Sequence, residues 1–202
     1  MFGVTAPEDK NPRAPRVRAA RPRRTVLTRT FLSPAGDRRA MPPDVGDAAP
    51  DFETLLCDGE TFRSTPFSSV RTEGETGGAV LVFSAFAFSA IAENWWKRYD
   101  RAGWDEFPVP VVGVSRDGPY AQNAFLRYLD SPFRLYADTD AVAGEAYDLL
   151  TERHGMDGVT TPMRATFVVD GEGIVRYRWL ADDWISPAPR EDVADAVADL
   201  RD

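Results

Sequence analysis

Two apolar runs constrain this chain more than anything else in it: AVLVFS at 79–84 and VPVVGVS at 109–115, with an amphipathic stretch between them. A run rich in β-branched residues and apolar at successive positions is buried on both faces, as in an interior strand of a parallel or mixed sheet. Between them, residues 92 to about 102 put Trp95, Trp96 and Tyr99 at spacings that can share one helix face. Strand, helix and second buried strand make a parallel crossover, and a sheet buried on both faces needs helices over it.

The remaining segments extend this pattern. PDFETLL reads as a short strand, CDGE as a turn around Asp58-Gly59, and TFR as a second short strand. DGPYAQNAFLRYLD opens a helix, with Asp117 or Gly118 as cap and Pro119 in the first turn. FRLYAD is a strand, and AVAGEAYDLL (141–150) a helix. RATFVVD, the turn GEG and IVRYRWL form an antiparallel hairpin. PREDVADAVADL closes the chain as a helix with Val193, Val197 and Leu200 on one side. The order β-β-β-α-β-α-β-α-β-β-α predicts an α/β protein, a three-layer α/β/α sandwich with a mixed central sheet, over residues 41–202.

Charge divides the chain in two. Residues 1–40 hold ten Arg or Lys against three acids, about +7, whereas 41–202 hold 14 basic and 29 acidic residues, about −15. Of the 32 acids 21 are Asp, and the only lysines are Lys10 and Lys97. An acidic, Asp-rich, Lys-poor domain keeps its hydration and self-repulsion at high ionic strength, which predicts a halophilic source and a cytoplasmic protein. So negative a folded part argues against nucleic acid as its main partner. Residues 1–40, with five Pro and no periodic apolar pattern, read as a disordered basic arm. The flip of charge at Met41 suggests translation starting there. No apolar run reaches the roughly 20 residues of a membrane-spanning helix, so no membrane partner is expected.

Four segments in order, VGDAAPDFETLLCDGETF, GGAVLVFSAFAFSAIAENWW, VPVVGVSRDGPYAQNAFLRYLDSPFRLYADTDAVAGEAYDLL and RATFVVDGEGIVRYRW, resemble the peroxiredoxins, the alkyl hydroperoxide reductase and thiol-specific antioxidant branch of the thioredoxin fold. The resemblance covers roughly Val45 to Leu200. It implies a thioredoxin-like sandwich and a thiol peroxidase reaction. A cysteine in the first turn of the helix after the third strand attacks the peroxide O–O bond, becomes a sulfenic acid and is resolved by a second thiol. The family motif is Pro, three residues, Thr or Ser, two residues, Cys, with an Arg from a later strand. On this chain Ala85 takes the Pro position, Ser89 the hydroxyl position, Ala92 the Cys position and Arg164 that of the Arg. The hydroxyl and the Arg are retained and the nucleophile position is alanine, so ordinary peroxidase turnover is not expected. Because Ala85 departs as well, natural divergence accounts for Ala92 better than an engineered exchange.

Cys57 is the only thiol, so neither an intrachain disulfide nor a CxxC redox pair can form. It reads first as a small residue in the turn after the first strand, and second as a relocated or resolving thiol. His154, the sole histidine, lies in the polar loop TERHGMDG and reads as solvated. One His and one Cys make no metal set, no Gly loop cradles phosphate, and no cofactor is expected. Asp182-Asp183-Trp184 reads as a solvated acidic run. Trp95, Trp96, Trp104, Trp179 and Trp184 read as core, although joint exposure of Trp96 and Trp184 near Ser89 would mark a dimer face or a ligand cleft. Three functions stay open. One is a binding or regulatory protein with an anion-friendly pocket at Ser89, Ala92 and Arg164; another is an antioxidant peroxidase using Cys57 and an external thiol. The third is a non-catalytic, partner-binding subunit of a homo- or heterodimer.

Overall fold

The structure is a computed structural model describing residues 41–74, 76–183 and 185–201. The expectations for residues 1–40 and for Trp184 therefore lie outside the described residues. A seven-stranded mixed sheet runs in the order β2-β1-β5-β4-β3-β8-β9, with strands at Glu53–Cys57 (β1), Phe62–Pro66 (β2), Gly78–Phe83 (β3), Val111–Ser115 (β4), Arg134–Ala137 (β5), Ala165–Asp170 (β8) and Val175–Leu180 (β9). The two apolar runs become β3 and β4, which pair in parallel from Val80–Val111 to Phe83–Val114, and β5 extends the parallel set. On the far side of β3, β8 pairs antiparallel and β9 returns along it as the expected hairpin. β1 and β2 form the antiparallel opposite edge.

Alternation along β3 explains the layers. Val80 and Val82 face one core with Ala92, Trp95, Trp96 and Tyr99 of α2 (Ala90–Arg101), Phe125 and Leu126 of α3 (Pro119–Leu129), and Val193 and Val197 of α5 (Arg190–Ala198). Ala79, Leu81 and Phe83 face the other core with Phe67 and Val70 of α1 (Phe67–Val70) and Ala143 of α4 (Val142–Ala146). Gly113 of β4 carries no side chain because Trp96 occupies its place. A Cβ there would come within 2.4 Å of both the Trp96 ring and Leu135.

Four details differ from the sequence expectation, the first being the one-turn helix α1 between β2 and β3, where no element was expected. The helix expected over 141–150 spans only Val142–Ala146, because Asp148 takes a left-handed φ of 50° and the chain then straightens. Asp138 fixes the start of that helix by accepting the amide N–H of Ala143 and Gly144. The polar stretch around His154 connects a small separate hairpin of Leu150–Glu152 (β6) and Thr160–Pro162 (β7). Its three-residue strands are too short to imprint a period on the sequence. Cys57, expected in a turn, is the last residue of β1.

Candidate functional site

Residues 84–89 carry the chain from β3 to α2, and four side chains, Ser89, Asp117, Ser115 and Gln122, shape this turn. Ser89 is the N-cap of α2, with extended backbone at φ −77° and ψ 143°. Its Oγ accepts the amide N–H of Ala92 at 3.2 Å and donates to the Phe86 carbonyl at 3.0 Å, which closes the helix start on itself. From behind, the Asp117 carboxylate accepts the Ala87 amide N–H at 2.7 Å and the Ser115 hydroxyl at 2.7 Å. The Gln122 side chain donates to Ser115 Oγ at 2.7 Å, so β4 and α3 both grip the turn. Asp117, read from sequence as a candidate cap, instead holds this turn, and Gly118 caps α3.

Arg164 precedes β8 and reaches the same place from the other side. Its guanidinium lies 3.9 Å from the Trp95 ring centroid and 5.7 Å from that of Trp179, a cation–π sandwich. Its N–H groups donate to the carbonyls of Asp183 and Ser186, and the Asp183 carboxylate lies 3.2 Å away. Asp183 in turn accepts from the amides of Ile185 and Ser186 at 2.7 Å and from the Ser186 hydroxyl at 2.5 Å. These bonds, the Ser186 hydroxyl first, hold its carboxyl down at about 2. Arg164 is 8% exposed, and burial pulls its guanidinium below its usual value while Asp183 opposes that shift. The sequence reading of Asp182-Asp183-Trp184 as a solvated acidic run, with at most a weak cation contact, did not foresee this pairing, because the arginine lies 19 residues upstream.

Ser89, Ala92, Ala85, Ser84, Trp95 and Arg164 line a common cavity of about 20 Å³. The structure thus brings together every position that the resemblance had aligned. The space left is that of a single water.

Cys57 lies elsewhere. In the strand order, β5, β4 and β3 separate β1 from β8, so four strand spacings of about 4.8 Å put its thiol roughly 19 Å from the Arg164 end of the sheet. It is fully buried beneath the start of α3, with Sγ 3.7 Å from the Pro119 carbonyl. Burial, with a smaller contribution from the Asp58 charge, pushes the thiol up to about 12. Nucleophilic thiols are normally exposed and shifted down. His154 is exposed, as expected. Trp95, Trp96 and Trp104 are core residues, and Trp179 is half-buried against Arg164. Trp96, being buried, contributes to no exposed aromatic face. Among the described residues no group of His, Cys, Asp and Glu could hold a metal ion. No helix among them is long and apolar enough to cross a membrane.

A mixed sheet between helical layers, with a strand-to-helix turn facing an arginine just ahead of a later strand, defines a thioredoxin-like domain of peroxiredoxin type. The model of the AhpC/TSA family matches residues 45–178, and the chain belongs to that family. Among its relatives, a putative peroxiredoxin bcp of Coxiella burnetii is 28% identical over 146 residues, covering 69% of this chain and 89% of the relative. Peroxiredoxin Bcp of Bacillus subtilis is 25% identical over 166 residues, covering 80% and 98%. Among solved structures, the reduced 2-Cys peroxiredoxin of Plasmodium vivax superposes with a TM-score of 0.62 at 18% identity, over 78% of this chain and 96% of that one. Mycobacterium tuberculosis AhpC gives 0.63 at 16% identity, over 78% and 93%. At such identities the structures speak for the fold alone.

Proposed function

We propose that this chain is a peroxiredoxin-family domain without thiol peroxidase turnover, serving as a binding or regulatory protein in a redox setting. The observation that carries this reading is the methyl group of Ala92 where the first turn of α2 and Arg164 converge. Reduction of a peroxide by this family's chemistry starts with a thiolate attacking one oxygen. The O–O bond breaks, the other oxygen leaves as water or alcohol, and the sulfur keeps an oxygen as sulfenic acid. A methyl group has no lone pair to begin that sequence. The retained parts have structural partners instead: the Ser89 hydroxyl is bonded to Ala92 and Phe86, and Arg164 to Asp183 and Ser186.

A small anion at this helix start has little room, since the cavity of about 20 Å³ beside Ser89, Ala92 and Arg164 admits one water. A partner protein, a second copy or a catalytic homologue, fits the arrangement better, because it needs no space inside the turn. The acidic, Lys-poor composition supports a halophilic source and a cytoplasmic setting within the same proposal.

The test is peroxide consumption by the purified chain with excess dithiothreitol, beside a Cys57→Ser variant. The expected result is no turnover above buffer for either protein. Catalytic consumption by the parent that disappears in Cys57→Ser would replace this reading with a one-cysteine peroxidase.

A further inference from the structure

A second cavity, of about 330 Å³, lies at the far end of α2, lined by Arg98, Arg101 and Arg190 over Tyr99, Trp104 and Pro187. We propose that it binds a small organic anion carrying two or more negative charges, as phosphate ester or carboxylate groups.

Charge makes the case. Residues 41–202 hold 14 basic side chains among 29 acidic ones, and three of those 14 line this one cavity. None of the three forms an ion pair among the described residues, although carboxylates outnumber them in the domain. Helix electrostatics accounts for two of them. Arg98 and Arg101 sit in the last turn of α2, where the helix dipole favours cations. Arg190 has no such account. It is the first residue of α5, where the dipole disfavours a positive side chain. The first turn of α5 also carries Glu191 and Asp192, but neither lines the cavity, so Arg190 is the only charged side chain that α5 contributes to its wall.

Three guanidinium groups around one concavity repel one another unless an anion lies between them, and their planar donor forks match carboxylate and phosphate oxygens. The floor is fixed and apolar: Tyr99 and Trp104 stack at 4.1 Å with planes 14° apart, both buried. The wall is held as well, since Pro187 and Ala188 follow Ser186, which Arg164 fixes through its carbonyl. A volume of this size suits a ligand larger than a bare oxyanion.

Titration with inorganic phosphate, glycerol phosphate and citrate, followed by calorimetry at low and at high sodium chloride, tests the site and separates the ligand sources. Saturable one-to-one binding of glycerol phosphate or citrate is expected, tighter than inorganic phosphate. Affinity should fall at least tenfold in the Arg98→Gln/Arg101→Gln/Arg190→Gln variant and by a smaller factor in Arg190→Gln alone. All three side chains are exposed, so circular dichroism should show both variants folded. The proposal is overturned if no probe saturates the parent, or if the folded variants bind as tightly as the parent does.

Discussion

Arg164 is the residue on which the reading turns, because its neighbours decide what it does. In the reaction that the resemblance implies, this arginine helps a thiolate meet a peroxide. Here its plane lies on Trp95 and its donors go to two backbone carbonyls and to Asp183. A guanidinium so placed acts as a buried fastener. Arg164→Ala would leave those carbonyls without their donors and remove the stacked plane, at a cost of about 2–4 kcal/mol in denaturant unfolding. Arg164→Lys should recover less than half of that, since an ammonium can neither stack nor donate through a planar fork. A loss under about 0.5 kcal/mol for Arg164→Ala, the level of an ordinary surface substitution, would show that the fastening is weak. The alignment of Ala85, Ser89, Ala92 and Arg164 was legible in the sequence. The bonds that engage Arg164 were not, because they depend on a turn that carries no periodic pattern.

That turn, 183–186, is the element through which pH should act. Its Asp183 carboxyl is depressed to about 2 from an ordinary 3.8, through the Ser186 hydroxyl first and then the Ser186 and Ile185 amides. A depressed carboxyl stabilises the fold above its unfolded value, and the contribution disappears as pH falls through the folded value. The turn should therefore stay closed at pH 5 and open as pH falls from about 4 toward about 2. Tryptophan emission reports this, since Trp95 and Trp179 flank Arg164; Asp183→Asn should flatten the transition. An emission profile identical in parent and variant would contradict the role given to Asp183. Elements with a strong period were readable in advance: β3, β4, α2, α3, the β8–β9 hairpin and α5. The β6–β7 hairpin and the early end of α4 were not, since three-residue strands and a single left-handed Asp148 leave too little trace.

At the scale of the whole molecule, an arrangement of layers shared with solved peroxiredoxins coexists with an interior that holds the chain's one thiol, Cys57, away from solvent. The charge of about −15 over 41–202 implies self-repulsion that salt relieves, so the melting temperature should rise as sodium chloride increases to molar levels. A melting temperature that is flat or falls with salt would argue against the halophilic reading. The three-layer order was legible because each layer has its own apolar pattern. The distance between Cys57 and Arg164 was not, because it follows from strand order, which places β5, β4 and β3 between their strands. The central claim is that no thiol of this chain meets peroxide in the folded state. Treating the native protein with hydrogen peroxide in the presence of dimedone, followed by peptide mass spectrometry, tests it most directly. The account predicts no dimedone adduct at Cys57 unless the protein is first unfolded. A stoichiometric adduct on the native chain would contradict it.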